Sequence, residues 1–286
     1  MKAIQLVKYG SSEEAFQIAE IEKPEISGSE VLIKVESFGL NFADVMARRG
    51  LYKAAPPIPA VLGYEVVGYI SDIGEDVKKL HTGQKVVAFT RFGAYAEYAK
   101  TDSSAVSPIS DSMDNGAATA LSTQYSTAIY AAYEMANIQR GEYVLVHVAA
   151  GGVGIALVQL ALNRGCKVIG TVGSEKKVQF LKDMGVEFAV NYLEKDFAEE
   201  IPKILGTRKV DVIFDPVGGK FFKKDRSLLN AGGRIIAYGA SDQLNRKKGL
   251  VSKLKLMMAF GFLHPVGLMI NSQGVIGVNM LQIADH

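Results

Sequence analysis

The stretch Val144-Leu145-Val146-His147-Val148-Ala149-Ala150-Gly151-Gly152-Val153-Gly154 decides how this chain folds. Its first five residues are the apolar, β-branched run of a strand buried in a parallel sheet. Glycines follow at once, and Ile155, Leu157, Val158, Leu160, Ala161 and Leu162 then continue as an apolar helix. Strand, glycine turn and helix together make the context that a dinucleotide fingerprint requires. Gly151 lets the backbone approach a pyrophosphate, and Gly154 lets the helix pack closely on its strand. Ala150, Gly152 and Val153 complete a loop whose helix N-terminus offers N–H groups and a positive dipole end to phosphates. Ala149 stands where the first glycine usually falls, a departure from the bare pattern. His147, inside the strand, reads as a packed core residue.

Outward from this stretch the chain shows two grammars. Downstream, strands expected at 143–148, 167–171, 187–190, 210–215, 234–238 and 275–281 alternate with helical stretches, one from Gly152 and one from Glu175. Such alternation builds βαβ units and a doubly wound parallel sheet. Upstream, strand-like runs at 2–7, 31–37, 65–72 and 84–89 are punctuated by Ile73-Gly74, His81-Thr82-Gly83 and Arg91-Phe92-Gly93. With Pro56, Pro57 and Pro59 clustered in one loop, that part reads as a mostly antiparallel β region. Residues 116–133, Ala-rich with helical spacing, mark the change. The expected division is a β-rich domain at 1–120 and a dinucleotide-binding domain at 121–286.

The end of the second strand chooses the cofactor. An NAD site places Asp or Glu about 20 residues after the glycines, on the ribose 2′-hydroxyl. That position falls at Gly173 or Ser174, neither of them acidic. Ser174 can donate a hydrogen bond, and Lys176 and Lys177 bring positive charge to a 2′-phosphate. Glu175 argues the other way, since a shifted register restores the NAD acid. The balance favours NADPH.

Composition narrows the function. With 32 Lys plus Arg against 30 Asp plus Glu in 286 residues, the net charge of +2 argues against a nucleic-acid binder. The single cysteine, Cys166, cannot form an intrachain disulfide and points to a reducing, cytoplasmic compartment. Residues 1–5, with no apolar run behind a basic start, are not expected to begin a signal peptide. The run 256–270 is apolar except for His264, but its 15 residues fall short of the ~20 a membrane span needs. Pro265 would interrupt a helix there. A buried or dimer-facing segment is the first expectation. A membrane-surface patch, with Arg246, Lys247, Lys248, Lys253 and Lys255 ahead of it, is the second.

These motifs, with Gly39-Leu40-Asn41-Phe42-Ala43-Asp44, Gly50-Leu51-Tyr52, Asp215-Pro216-Val217-Gly218-Gly219 and Gly232-Gly233-Arg234, resemble the zinc-free medium-chain dehydrogenases/reductases. The nearest branch holds the quinone oxidoreductases of the zeta-crystallin group and the vesicle amine transport proteins. The resemblance implies an α/β chain, a GroES-like catalytic domain followed by a Rossmann domain. It places Ser174, Lys177 and Tyr192 around an adenosine 2′-phosphate, residues 151–154 at the pyrophosphate, and Tyr238 and Gly239 along the adenine and ribose. Asn279 and Leu281, ending the sixth strand, would hold the nicotinamide carboxamide. Asn41, Tyr52 and Thr127 would face the nicotinamide side of the cleft. Asn41 and Gly63-Tyr64-Glu65 stand where zinc-dependent relatives carry ligands, and His81, His147, His264 and His286 show no ligand spacing, so no metal is expected. The family's chain also returns to the β-rich domain after the sixth strand. This sequence stops at His286, and a less stable, more aggregation-prone chain is the expectation.

The implied activity is NADPH-dependent reduction of quinones or α,β-unsaturated carbonyls, with Tyr52 and Asn41 donating hydrogen bonds to the carbonyl oxygen. An enoyl-thioester reductase is the alternative within the same chemistry. A vesicle- or membrane-associated protein with little turnover is the alternative outside it. Pairing of the sixth strand across a two-fold axis would make a homodimer.

Overall fold

The computed structural model describes residues 1–242 and 263–284. The chain divides into two compact units, Met1–Thr123 and Gln124–His286. Of the apolar run 256–270, residues 256–262 and the five basic residues ahead of it lie outside the described part.

The first unit runs β1 (Lys2–Leu6), α1 (Ser12–Ala15), β2 (Phe16–Glu20), β3 (Glu30–Phe38), α2 (Phe42–Arg48), β4 (Ala60–Val61), β5 (Glu65–Ile73), β6 (Lys85–Phe89), β7 (Tyr98–Asp102), β8 (Val106–Pro108) and α3 (Asn115–Ala120). A three-stranded sheet in the order β2-β1-β4 and a five-stranded sheet in the order β7-β3-β5-β6-β8 are antiparallel throughout. Leu6, Val31, Ile33, Val66, Ile70, Val86 and Tyr95 fill the core beneath them. Strands β1, β3, β5 and β6 follow the apolar runs of the sequence. Strands β2 and β7 do not stand out in it, because each is an outer strand with little to bury: Ile18 is exposed, and Ala99 is the one buried residue of β7. Their pairing comes from the neighbouring strand's free backbone groups rather than from their own pattern.

The second unit holds α4 (Ser126–Ile129), β9 (Tyr143–Val146), α5 (Gly152–Asn163), β10 (Lys167–Val172), α6 (Glu175–Asp183), β11 (Phe188–Asn191), α7 (Phe197–Leu205), β12 (Val210–Asp215), α8 (Lys220–Leu228), β13 (Leu229–Ala237), α9 (Pro265–Asn271), β14 (Gly274–Gly277) and α10 (Met280–Ala284). Its six strands form one parallel sheet in the order β11-β10-β9-β12-β13-β14. Numbered within the unit this is 3-2-1-4-5-6, with the order reversing between β9 and β12. Alternate residues serve opposite faces. Val144, Val146 and Phe214 pack with Ala156, Leu157 and Ala161 of α5, whereas Leu145, Ile169 and Ile213 pack with Phe197 and Ile201 of α7 and Phe222 of α8.

Three expectations need correction. The sixth strand ends at Gly277, not 281, because the Asn279 side-chain oxygen accepts the Leu281 N–H at 3.2 Å and starts α10. Leu281 is therefore a buried helix residue rather than the end of a strand. Asn41 lies past the end of β3 at Phe38 and is the N-cap of α2. Pro265 begins α9 instead of interrupting it, since the first helical position needs no N–H partner. On that helix Val266, Met269 and Ile270 are exposed, not buried.

Candidate functional site

Within the second unit the carboxyl ends of the strands gather most of the expected cofactor residues. The tight turn after β9 is made by Val148, whose φ of 52° is one a β-branched residue rarely adopts. Ala149 itself takes no positive φ, so an alanine fits where the first glycine usually falls. The Val148 carbonyl accepts the Gly151 N–H at 2.8 Å. A Cβ on Gly154 would stand 2.3 Å from the same oxygen, which leaves no room for a side chain, and one on Gly151 would stand 3.2 Å from it, a tight fit. Gly151 is the N-cap of α5 and supplies no side-chain cap. That leaves the first-turn N–H groups and the positive helix end for an anion, and the cradle fits a pyrophosphate.

At the next strand ends, Ser174 is the N-cap of α6 and accepts the Lys177 N–H at 3.4 Å. A Cβ on Gly173 would lie 2.9 Å from the Tyr192 hydroxyl, so this glycine admits Tyr192 against the end of β10. Ser174, Lys177 and Tyr192 are thereby brought to one place. Glu175, the residue that would favour NAD, accepts a hydrogen bond from Asn191 Nδ2 at 3.2 Å and is held toward β11. Farther along the sheet, the Tyr238 N–H donates to the Asp215 carbonyl at 3.1 Å, and a Cβ on Gly239 would meet Pro216 O at 2.5 Å. Thr127 is buried within α4. The Leu281 N–H, engaged by Asn279, is not free for a carboxamide.

Behind the cradle lies a buried charge cluster that sequence reading passed over as ordinary core. His147 is fully buried, with Nδ1 2.9 Å from Thr171 Oγ1 and Nε2 2.8 Å from Asp225 Oδ1. Its ring meets Phe197 and Phe221 edge-on. Burial, the largest single influence, opposes charge on His147, but the charge and hydrogen bond of Asp225, with the charge of Asp215, outweigh it and raise its pKa. Asp215 is raised by burial, against the pull of His147. Its Oδ1 accepts the N–H groups of Val217 (2.7 Å) and Gly218 (2.9 Å).

The first unit holds a second buried cluster. Glu65, the first residue of β5, has no exposed surface and accepts Asn41 Nδ2 at 2.7 Å and the Thr123 hydroxyl. Its carboxylate lies so close to Gly39 that a Cβ there would overlap Oε1, which explains the glycine at the head of the Gly39–Asp44 motif. Asp44 accepts the N–H groups of Asn41 (3.0 Å) and Gly63 (3.1 Å), the first as a helix-start contact of α2. Burial raises the pKa of both carboxyls, against the hydrogen bonds that they accept. Tyr95 stands beside Asp44, and Tyr64 beside Tyr52. Burial lifts Tyr52 above the ordinary phenol range, so at neutral pH it is a hydrogen-bond donor. Asn41 has one N–H committed to Glu65 and one left over. The spacing of Asn41 and Asp44 signals the helix start; nothing local signals Glu65 or Thr123 as their partners. Among the described residues no group of three or more His, Cys, Asp or Glu is arranged to hold a metal ion.

Comparison with known proteins places these features. A family model described as the alcohol dehydrogenase GroES-like domain matches residues 27–111, and one described as zinc-binding dehydrogenase matches 152–274. The chain is 34% identical to quinone oxidoreductase of Rattus norvegicus over 240 residues, covering 84% of this chain and 73% of that protein. It is 33% identical to the synaptic vesicle membrane protein VAT-1 homolog of Danio rerio over 280 residues, 98% of this chain but only 58% of that relative's length. The structure superposes on Escherichia coli quinone oxidoreductase complexed with NADPH with a TM-score of 0.86 and 28% identity, covering 99% of this chain and 82% of that one.

Proposed function

Because the chain belongs to the medium-chain dehydrogenases/reductases, in the group of the quinone oxidoreductases and VAT-1 homologues, we propose that it is an NADPH-dependent oxidoreductase that reduces quinones or α,β-unsaturated carbonyls. The observation that carries this reading is the glycine cradle at the sheet's reversal point, with Ser174, Lys177 and Tyr192 beside the end of β10. When bound, the nicotinamide supplies a hydride. The cradle N–H groups hold the pyrophosphate, and Ser174 and Lys177 hold the 2′-phosphate. Tyr52 and the free N–H of Asn41 stabilise negative charge growing on the carbonyl oxygen, and solvent supplies the closing proton.

NADPH and NADH oxidation against a panel of quinones, enones and enoyl thioesters tests the proposal directly. Lys177→Ala should weaken NADPH binding by about 1.5 kcal/mol, about one power of ten, because the side chain is exposed and falls at the low end for charged hydrogen bonds. NADH binding should stay level; equal losses for both cofactors would put Lys177 elsewhere. Tyr52→Phe keeps the ring and removes the donor, and kcat should fall about tenfold with NADPH affinity unchanged. An unchanged kcat would shift the role to Asn41 or water.

A second reading, attachment to a membrane surface, is favoured by Val266, Met269 and Ile270 standing exposed on α9. No helix among the described residues is long and apolar enough to cross a membrane. Co-sedimentation with anionic liposomes, without effect on NADPH oxidation, would support this reading. A homodimer through β14, an outer strand of its sheet, belongs to the proposal and is tested by sedimentation.

A further inference from the structure

We propose that His147, held between Thr171 and Asp225, is a positioning residue that fixes the shape of the glycine cradle; the inference rests on the cradle's binding a pyrophosphate.

The argument starts from Val148. Its carbonyl does two things at once: it accepts the Gly151 N–H at 2.8 Å, and it lies where a side chain on Gly154 would clash. Rotation of that one peptide would displace the N-cap of α5 and the close approach of helix to strand. Yet Val148 is β-branched and sits at a φ of 52°, a conformation that persists only where the surroundings over-determine it. Both flanking residues are tied to the same residue of β10. On one side His147 Nδ1 meets Thr171 Oγ1 at 2.9 Å, and on the other the Ala149 N–H donates to the Thr171 carbonyl at 3.0 Å. The His147 N–H donates to Phe214 O of β12 at 3.1 Å, so the turn is anchored to both neighbouring strands.

Asp225 completes the clamp from α8, at 2.8 Å from Nε2. Edge-on contacts with Phe197 and Phe221 pack the imidazole on its faces. A cheaper core would put an apolar ring in this place, because a buried ionic group gains little stability over a hydrophobic one of similar size. What the imidazole adds is direction: two fixed hydrogen bonds on opposite edges of one ring, immediately before the strained residue. Asp215, which faces the same histidine, shapes the next loop through the N–H groups of Val217 and Gly218. One buried histidine thus ties the glycine turn to β10, β12 and α8.

Thr171→Val is isosteric and removes only the hydroxyl. Asp225→Asn keeps the shape and removes the charge. Each should raise the Kd of the full chain for NADPH and for NADH by about tenfold, with the ratio of the two unchanged, since the pyrophosphate is common to both cofactors. Without cofactor, amide hydrogen exchange over residues 149–155 should quicken while β13 keeps its protection. Thr171→Ser restores the hydroxyl and should restore both Kd values. Variants that melt earlier but bind both cofactors within twofold of wild type would reduce the cluster to core stability and overturn the inference. A loss confined to NADPH would also overturn it, by moving the effect to the 2′-phosphate end. Wild type that binds neither cofactor would overturn the proposed function itself, and the inference with it.

Discussion

The two units bury carboxylates by opposite means. In the first, Glu65 and Asp44 are surrounded by neutral donors: a side-chain amide, a threonine hydroxyl and backbone N–H groups. In the second, Asp225 lies against His147, whose pKa the charge and hydrogen bond of Asp225 raise, with the charge of Asp215 adding to that effect. Neutral donors can only partly replace water around an anion, so the carboxyls of the first unit are driven toward their protonated forms. A buried His–Asp pair instead depends on both members being present. The consequence is a tolerant cluster in the first unit and an intolerant one in the second.

The largest test of this contrast is Asp225→Ala. Removing one member of a buried pair strands the other, and the second unit should lose about 3–5 kcal/mol in denaturant unfolding. A loss below about 1 kcal/mol would show that His147 is neutral and the contrast false. Thr123→Val probes the other side, since it deletes one donor to a carboxyl already pushed toward neutrality. The expected cost is about 1 kcal/mol, a single hydrogen bond. Equal damage from the two substitutions would erase the distinction.

The smallest effect is a difference in pH windows. Raised folded-state values mean that each cluster gives its full stability below the unfolded pKa and loses it as pH rises through the folded one. For Glu65 the loss begins above about 4.3, the ordinary Glu value, and for His147 above about 6.5. Melting temperature followed from pH 4 to 9 should therefore show the deficit of Glu65→Gln shrinking first, and that of Asp225→Asn only at higher pH. Deficits that shrink together over one range would mean that a single titration governs both.

Much of the fold can be read from local pattern. The alternation of strands and helices after residue 143 gives the parallel sheet, and the glycine loop marks its first crossing. Strands β2 and β7 escape notice because their partners, not their own side chains, make them strands. The sixth strand reads four residues too long because Val278 and Leu281 continue the apolar pattern and are indeed buried, while a single side-chain hydrogen bond from Asn279 turns the chain into a helix. Local pattern reports burial; it does not report which geometry achieves it.

By itself, then, the sequence determined the strand–glycine–helix cradle, the absence of an acid at positions 173 and 174, and the near-balance of charge. Each is set by neighbours along the chain, where spacing fixes geometry. Only the tertiary structure decided that Val148 takes a positive φ, that Glu175 is held by Asn191, and that His147 meets Asp225 from 78 residues away. It also decided that Glu65 presses against Gly39. A buried polar group must find its partner wherever the packed chain brings one, and at such separations no residue spacing encodes the meeting.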